Sequence, residues 1–268
     1  MKYEFGFIGC GNMGGAIADA VAKSVDGSKL ACADYDAGKC ARLKEAYGFD
    51  VTDAAGIAAN SRFIVLGVKP QMMAETLASV RDALMTRTDR FILVTMAAGL
   101  TSERITELAL GEYPVIRIMP NTPVSVGEGV VLYCTNGRVE SDELEAFKSA
   151  MKYAGVLDAL PEKLIDAASA VSGCGPAFVS MMIEAMADGG VECGLPRDKA
   201  LLYAAETFAG TAKLLLETGK HPGKLKDEVC SPGGSTIVGV HELECGGMRA
   251  ALMNAVYASF EKNAELGK

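Results

Sequence analysis

No Cys-x-x-Cys pair occurs among the eight cysteines (10, 32, 40, 134, 174, 193, 230 and 245), and the two histidines complete no zinc-ligand spacing with them. That scatter points away from a zinc site and, in 268 residues, away from a disulfide framework. No metal is expected. Several cysteines fall in apolar stretches, where a thiol behaves as a small hydrophobe, and a reducing compartment is the simplest reading. No uninterrupted apolar run approaches the ~20 residues that span a bilayer. A glycine-rich loop begins at residue 9, which leaves no room for a signal peptide, so a cytoplasmic chain without a membrane partner is expected. Excess positive charge is also lacking: the formal net charge is −8, which argues against a nucleic-acid partner.

What is present is an ordinary globular composition, 50 % apolar and 22 % charged, long enough for two modest domains. Strand and helix signals alternate over the first part. "YEFGFI" (3–8), "KLACAD" (29–34), "FIVLGV" (63–68), "FILVTM" (91–96) and "VIRIM" (115–119) read as strands. Helical patterns run over 38–47, "QMMAETLASVRDAL" and "TSERITELAL". Such alternation predicts a doubly wound parallel sheet. "SDELEAFKSAMKYAG" follows as an amphipathic helix with Ser141 as its cap, and "VLDAL" as a last short strand. The expected boundary lies at 160/161: an α/β Rossmann-type domain over 1–160, then an all-α domain over 161–268. Helices are predicted there at 161–171, 176–190, 196–218, 222–229, 235–244 and 247–266.

The first strand closes on "GCGNMG", Gly9 to Gly14, and the loop opens a helix. Gly9 suits a tight turn, Gly11 a close approach of backbone to pyrophosphate, and Gly14 helix-on-strand packing. Cys10, Asn12 and Met13 complete the loop, whose helix N-terminus favours an anion. Asp34 ends the second strand, where it accepts from both adenosine ribose hydroxyls and favours NADH. NADPH needs a cation there, which Lys39 or Arg42 supplies only by bending back. Val68, Lys69 and Pro70 after the third strand, Ala97 and Ala98 after the fourth, and Asn121 in "MPNTP" come to the same carboxyl edge.

Two later features stand out. "PAFVSMMIEAMADGG" (176–190) carries only Glu184 and Asp188 as charges, so nearly its whole circumference asks for burial, which a second copy of the chain supplies. "SPGGST" (231–236) is a glycine turn entering a helix at Ser235. It offers free N–H groups to an anion but contains no lysine, which suits one carboxylate better than a polyphosphate.

"GFIGCGNMGGAI", "VKP", "MPNTP", "SGCGPAF" and "SPGGST", in this order, resemble the pyrroline-5-carboxylate reductase family over residues 4 to 266, most specifically in "HPGKLKDEVCSPGGSTI". The resemblance implies a 6-phosphogluconate-dehydrogenase-C-terminal-like helical domain that dimerises, with dimers assembling further into rings. It also implies reduction of 1-pyrroline-5-carboxylate to L-proline by NADPH or NADH. Ser172, Ser231, Gly233, Gly234, Ser235 and Thr236 are then the expected substrate contacts, with Thr236 positioning the imine nitrogen. A related imine reductase and a nucleotide-sensing protein without turnover remain alternatives. A 3-hydroxyacid dehydrogenase is a third, against which the lack of lysine in 176–190 counts.

Overall fold

The computed structural model describes residues 1–266, in which eight strands form one sheet. They are β1 (Tyr3–Ile8), β2 (Leu30–Ala33), β3 (Asp50–Val51), β4 (Ser61–Leu66), β5 (Ile92–Thr95), β6 (Val115–Pro120), β7 (Gly129–Thr135) and β8 (Gly155–Ala159). Their spatial order is β3-β2-β1-β4-β5-β6-β7-β8. Every neighbouring pair is parallel except β6 and β7. The order reverses beside β1, so a crevice opens at the carboxyl ends of β1 and β4.

Helices α1 (Asn12–Ala22), α2 (Ala37–Tyr47), α3 (Ala54–Asn60), α4 (Met73–Met85), α5 (Ser102–Ala109), α6 (Ser141–Ala150) and α7 (Glu162–Ser172) accompany the sheet. Alternation along the strands divides their side chains between two cores. Phe63 and Val65 join Phe5, Phe7 and Phe147 on one face, while Ile64 and Leu66 join Leu77 and Leu84 on the other. Local chemistry fixes the helix starts. Asp36, Asp53 and Thr101 each accept a backbone N–H of the first turn of α2, α3 and α5.

Several expectations need correction. The cap of α6 is Glu140, not Ser141: Glu143 reaches back to accept the Glu140 N–H at 2.8 Å, a reciprocal capping arrangement. The third predicted strand stops at Leu66, so Gly67 and Val68 already belong to the turn. Strands β3 and β7 and helix α3 are additional to the elements read from the sequence.

The remaining helices are α8 (Gly175–Glu192), α9 (Arg197–Thr218), α10 (Pro222–Glu228), α11 (Ser235–Cys245) and α12 (Met248–Leu266). Two compact units result, Met1–Cys174 with the segment from Ser259 onward, and Gly175–Ala258. This division falls one helix later than the break expected at 160/161, because α7 packs on β6 and β7. In the second unit α8 and α9 pair through the small residues Ala187, Ala200 and Ala204. Most of its large apolar side chains stay exposed in the single chain, Met181 at 68 % and Leu216 at 83 % among them. By length and composition Glu162–Glu192 is long and apolar enough to cross a membrane, although only 11 % of its most apolar window is buried in the chain.

Candidate functional site

The turn after β1 is made of backbone packed on backbone. Gly9 has φ +94, and a Cβ there would meet the Gly67 carbonyl carbon at 2.7 Å. A Cβ on Gly14 would overlap the Gly9 carbonyl oxygen, so α1 sits against the turn with no room for a side chain. Gly11 differs: a Cβ built on it meets nothing within 4 Å. It is also the N-cap of α1 and supplies no side-chain cap, so the first-turn N–H groups at Asn12 and Met13 face that open space unsatisfied by a capping oxygen. An uncapped helix N-terminus of this kind favours an anion such as a diphosphate.

Asp34 stands just beyond β2. Its Oδ2 accepts the Cys10 N–H at 2.6 Å and its Oδ1 accepts the Asp36 N–H at 2.9 Å, with the Lys39 ammonium 3.4 Å away. Burial opposes its ionisation, but the Asp36 and Cys10 N–H groups and Lys39 outweigh it and hold the carboxyl below the usual carboxylate range. Asp34 thus braces the glycine loop as well as lining its edge, a contact the spacing alone does not reveal. Lys39 already lies beside it, whereas Arg42 is engaged by Asp19 at 2.9 Å.

The other expected cofactor contacts follow strand ends. Val68 is half-buried and exposed Lys69 opens a short 3₁₀ turn beginning at Pro70. Ala97 is buried, its N–H 3.3 Å from the Thr95 hydroxyl oxygen, with Ala98 half-buried beside it. Asn121 is buried, and its amide is engaged at both ends: Oδ1 accepts the Val130 N–H at 2.8 Å and Nδ2 donates to the Ser172 carbonyl at 2.9 Å. Asn121 therefore ties the start of β7 to the end of α7. The Ser172 hydroxyl donates back to Ala168 within α7.

In the second unit Ser231 to Gly234 form a turn closed by the Gly234 N–H donating to the Ser231 carbonyl at 3.0 Å. Gly233 occupies φ +69, a conformation L side chains rarely adopt. Gly234 caps α11 and, like Gly11, supplies no side chain to do so. The first-turn N–H groups from Ser235 and Thr236 onward are thus open, and both hydroxyl residues are exposed. The histidines are occupied otherwise. His221 caps α10 by accepting the Gly223 N–H at 3.1 Å, and exposed His241 lies 3.6 Å from the Cys245 sulfur.

A family model described as pyrroline-5-carboxylate reductase dimerisation matches residues 162–266, and one described as coenzyme F420-dependent NADP oxidoreductase matches residues 4–99. A pyrroline-5-carboxylate reductase of Synechocystis is 40 % identical over 271 residues, covering all of both chains. That of Pisum sativum is 38 % identical over 268 residues, covering 99 % of this chain and 96 % of its own. The crystal structure of Plasmodium falciparum pyrroline carboxylate reductase with NADP bound superposes with a TM-score of 0.88 at 30 % identity, covering 99 % of this chain and 98 % of that one.

Proposed function

Because the chain belongs to the pyrroline-5-carboxylate reductase family, we infer that it reduces 1-pyrroline-5-carboxylate to L-proline with NADPH or NADH, acting as a homodimer. The observation that carries this reading within the chain is the recurrence of one device. Helices α1 and α11 both begin at a glycine without a side-chain cap; α4, α7 and α9 also lack a side-chain cap but begin at Met72, Pro161 and Pro196, and α2, α3 and α5 are capped by Asp or Thr. One open N-terminus suits a diphosphate and the other a single carboxylate.

The division of labour follows. Gly9, Cys10, Gly11, Asn12, Met13 and Gly14 form the dinucleotide cradle: the Gly9 and Cys10 N–H groups are held by the Ala33 carbonyl and the Asp34 carboxylate and fix its shape, while the helix start at Asn12 and Met13 offers N–H groups to the pyrophosphate, and Asp34 bounds the ribose end. Val68, Lys69, Pro70, Ala97 and Ala98 border the same edge, and Asn121 holds β7 and α7 in place behind it. Ser231, Gly233, Gly234 and Ser235 hold the substrate carboxylate, Ser172 adds a contact, and Thr236 holds the imine nitrogen. Bound in that cradle, the reduced nicotinamide would supply the hydride that C5 of the ring accepts as the C=N π pair moves to nitrogen. The imine nitrogen enters that step protonated, so hydride addition to C5 yields the neutral secondary amine, and Thr236 orients the nitrogen by a hydrogen bond rather than by acting as a strong acid. The chain's contribution is alignment and exclusion of water. The exposed apolar faces of α8, α9 and α11 are covered by the second copy, which also accounts for the membrane-like composition of Glu162–Glu192. A ring of dimers and a cytoplasmic location belong to the same proposal.

Loss of reduced-nicotinamide absorbance that depends on added 1-pyrroline-5-carboxylate tests the reading. Thr236→Ala is expected to lower kcat/KM about 10–100-fold, the cost of one hydrogen bond worth ~1.5–3 kcal/mol to a charged group. Complete loss of turnover would make Thr236 an obligatory proton donor, and no loss would place the imine nitrogen elsewhere.

A further inference from the structure

Three thiols converge directly beneath the nucleotide loop. Cys10 lies in the loop, Cys32 on β2 and Cys40 in the first turn of α2, all three buried, with their sulfurs within 4.8 Å of one another. Three thiolates around one ion at a metal–sulfur distance of about 2.3 Å stand about 4 Å apart, so the cluster needs little contraction to enclose a cation. An all-sulfur set selects soft or borderline d¹⁰ ions, which impose no geometry of their own and accept three ligands. The outer shell suits it as well. The Asp34 carboxylate holds the Cys10 N–H at 2.6 Å and so fixes the loop that carries the Cys10 sulfur. Burial and the Cys32 sulfur push the Cys40 thiol up to about 11, and the Cys10 thiol together with burial raises Cys32 further.

We propose that Cys10, Cys32 and Cys40 form a binding site for a thiophilic d¹⁰ cation of the Zn²⁺, Cd²⁺ or Cu⁺ class, and that its occupancy opposes dinucleotide binding. Each coordinated thiol releases its proton to solvent as its sulfur–metal bond forms. A divalent ion with three thiolates carries a net charge of −1 immediately under the cradle assigned to the pyrophosphate. Two negative groups then compete for one loop, and the antagonism is reciprocal. The coupling, though not the metal site itself, rests on the cofactor assignment above.

Cd²⁺ is the probe, added to the intact reduced protein while the thiolate-to-cadmium ultraviolet band is followed. One Cd²⁺ per chain is expected at this site. Cys32→Ala and Cys40→Ala, which leave the glycine loop untouched, are each expected to weaken it by at least about a hundredfold. The NADPH affinity of the metal-free protein, measured first, tests the cofactor assignment separately, and loading with Cd²⁺ should lower that affinity about tenfold. Anomalous diffraction from cadmium-soaked crystals of the unsubstituted protein gives a readout free of any folding defect, with the peak expected among the three sulfurs. Cadmium only at the exposed Cys193 and Cys245, or an NADPH affinity indifferent to bound Cd²⁺, would overturn the proposal.

Discussion

Gly11 and Gly14 are glycine for opposite reasons. A side chain at Gly14 collides with the Gly9 carbonyl, while one at Gly11 enters empty space. Folding therefore constrains the first and ligand approach the second. Gly14→Ala is expected to cost about 1–3 kcal/mol of stability, as overpacking does, and to lower the melting temperature. Gly11→Val should melt near the parent temperature and yet lose NADPH affinity by about a hundredfold or more, read by fluorescence titration. A Gly11→Val protein that binds NADPH normally would remove the cradle from the account.

Arg117 shows how one residue can join elements. It lies fully buried on β6, with its guanidinium 2.9 Å from Asp166 and 3.3 Å from Glu162 on α7. Glu162 in turn accepts the Ser102 N–H at 2.7 Å at the start of α5. Arg117→Met leaves two partly exposed carboxylates without their cation and should cost about 3 kcal/mol in urea unfolding, with NADPH affinity unchanged. A stability loss under about 0.5 kcal/mol would mean that solvent screens this pair. The lone charge inside "VIRIM" was visible in the sequence, but its partners 45 and 49 residues away were not. The same limit hid the Cys10–Cys32–Cys40 cluster, since β1–β2 pairing and the packing of α2 create it. Long periodic helices and glycine loops were legible because their signals are local. β3 has only two residues, and α3 has seven in which Ile57 is the one large apolar side chain, so neither develops a period. β7, "GVVLYCT", is an apolar run whose antiparallel pairing to β6 leaves no mark in its own composition.

At the scale of the molecule, the helical unit leaves most of its large apolar side chains exposed, and the proposed dimer covers them with a second copy. Met181 is 68 % exposed in one chain, so Met181→Lys should leave the protomer folded. A charge buried at the dimer contact costs several kcal/mol, on the order of a thousandfold in the dimer dissociation constant. Light scattering should then report monomer; an unaltered dimer would take α8 out of the interface. In the proposed enzyme the chain carries two separate anion cradles, one for the dinucleotide and one for the carboxylate. The most direct test compares Gly11→Val with Gly234→Val, measuring for each the Kd for NADPH and, with NADPH saturating, the KM for the pyrroline carboxylate substrate. Gly11→Val is expected to raise the Kd alone, and Gly234→Val to raise the KM by at least about tenfold while the Kd stays within about twofold. If Gly234→Val weakened NADPH binding as much as it raised the KM, the two loops would be serving one ligand and the account would be contradicted.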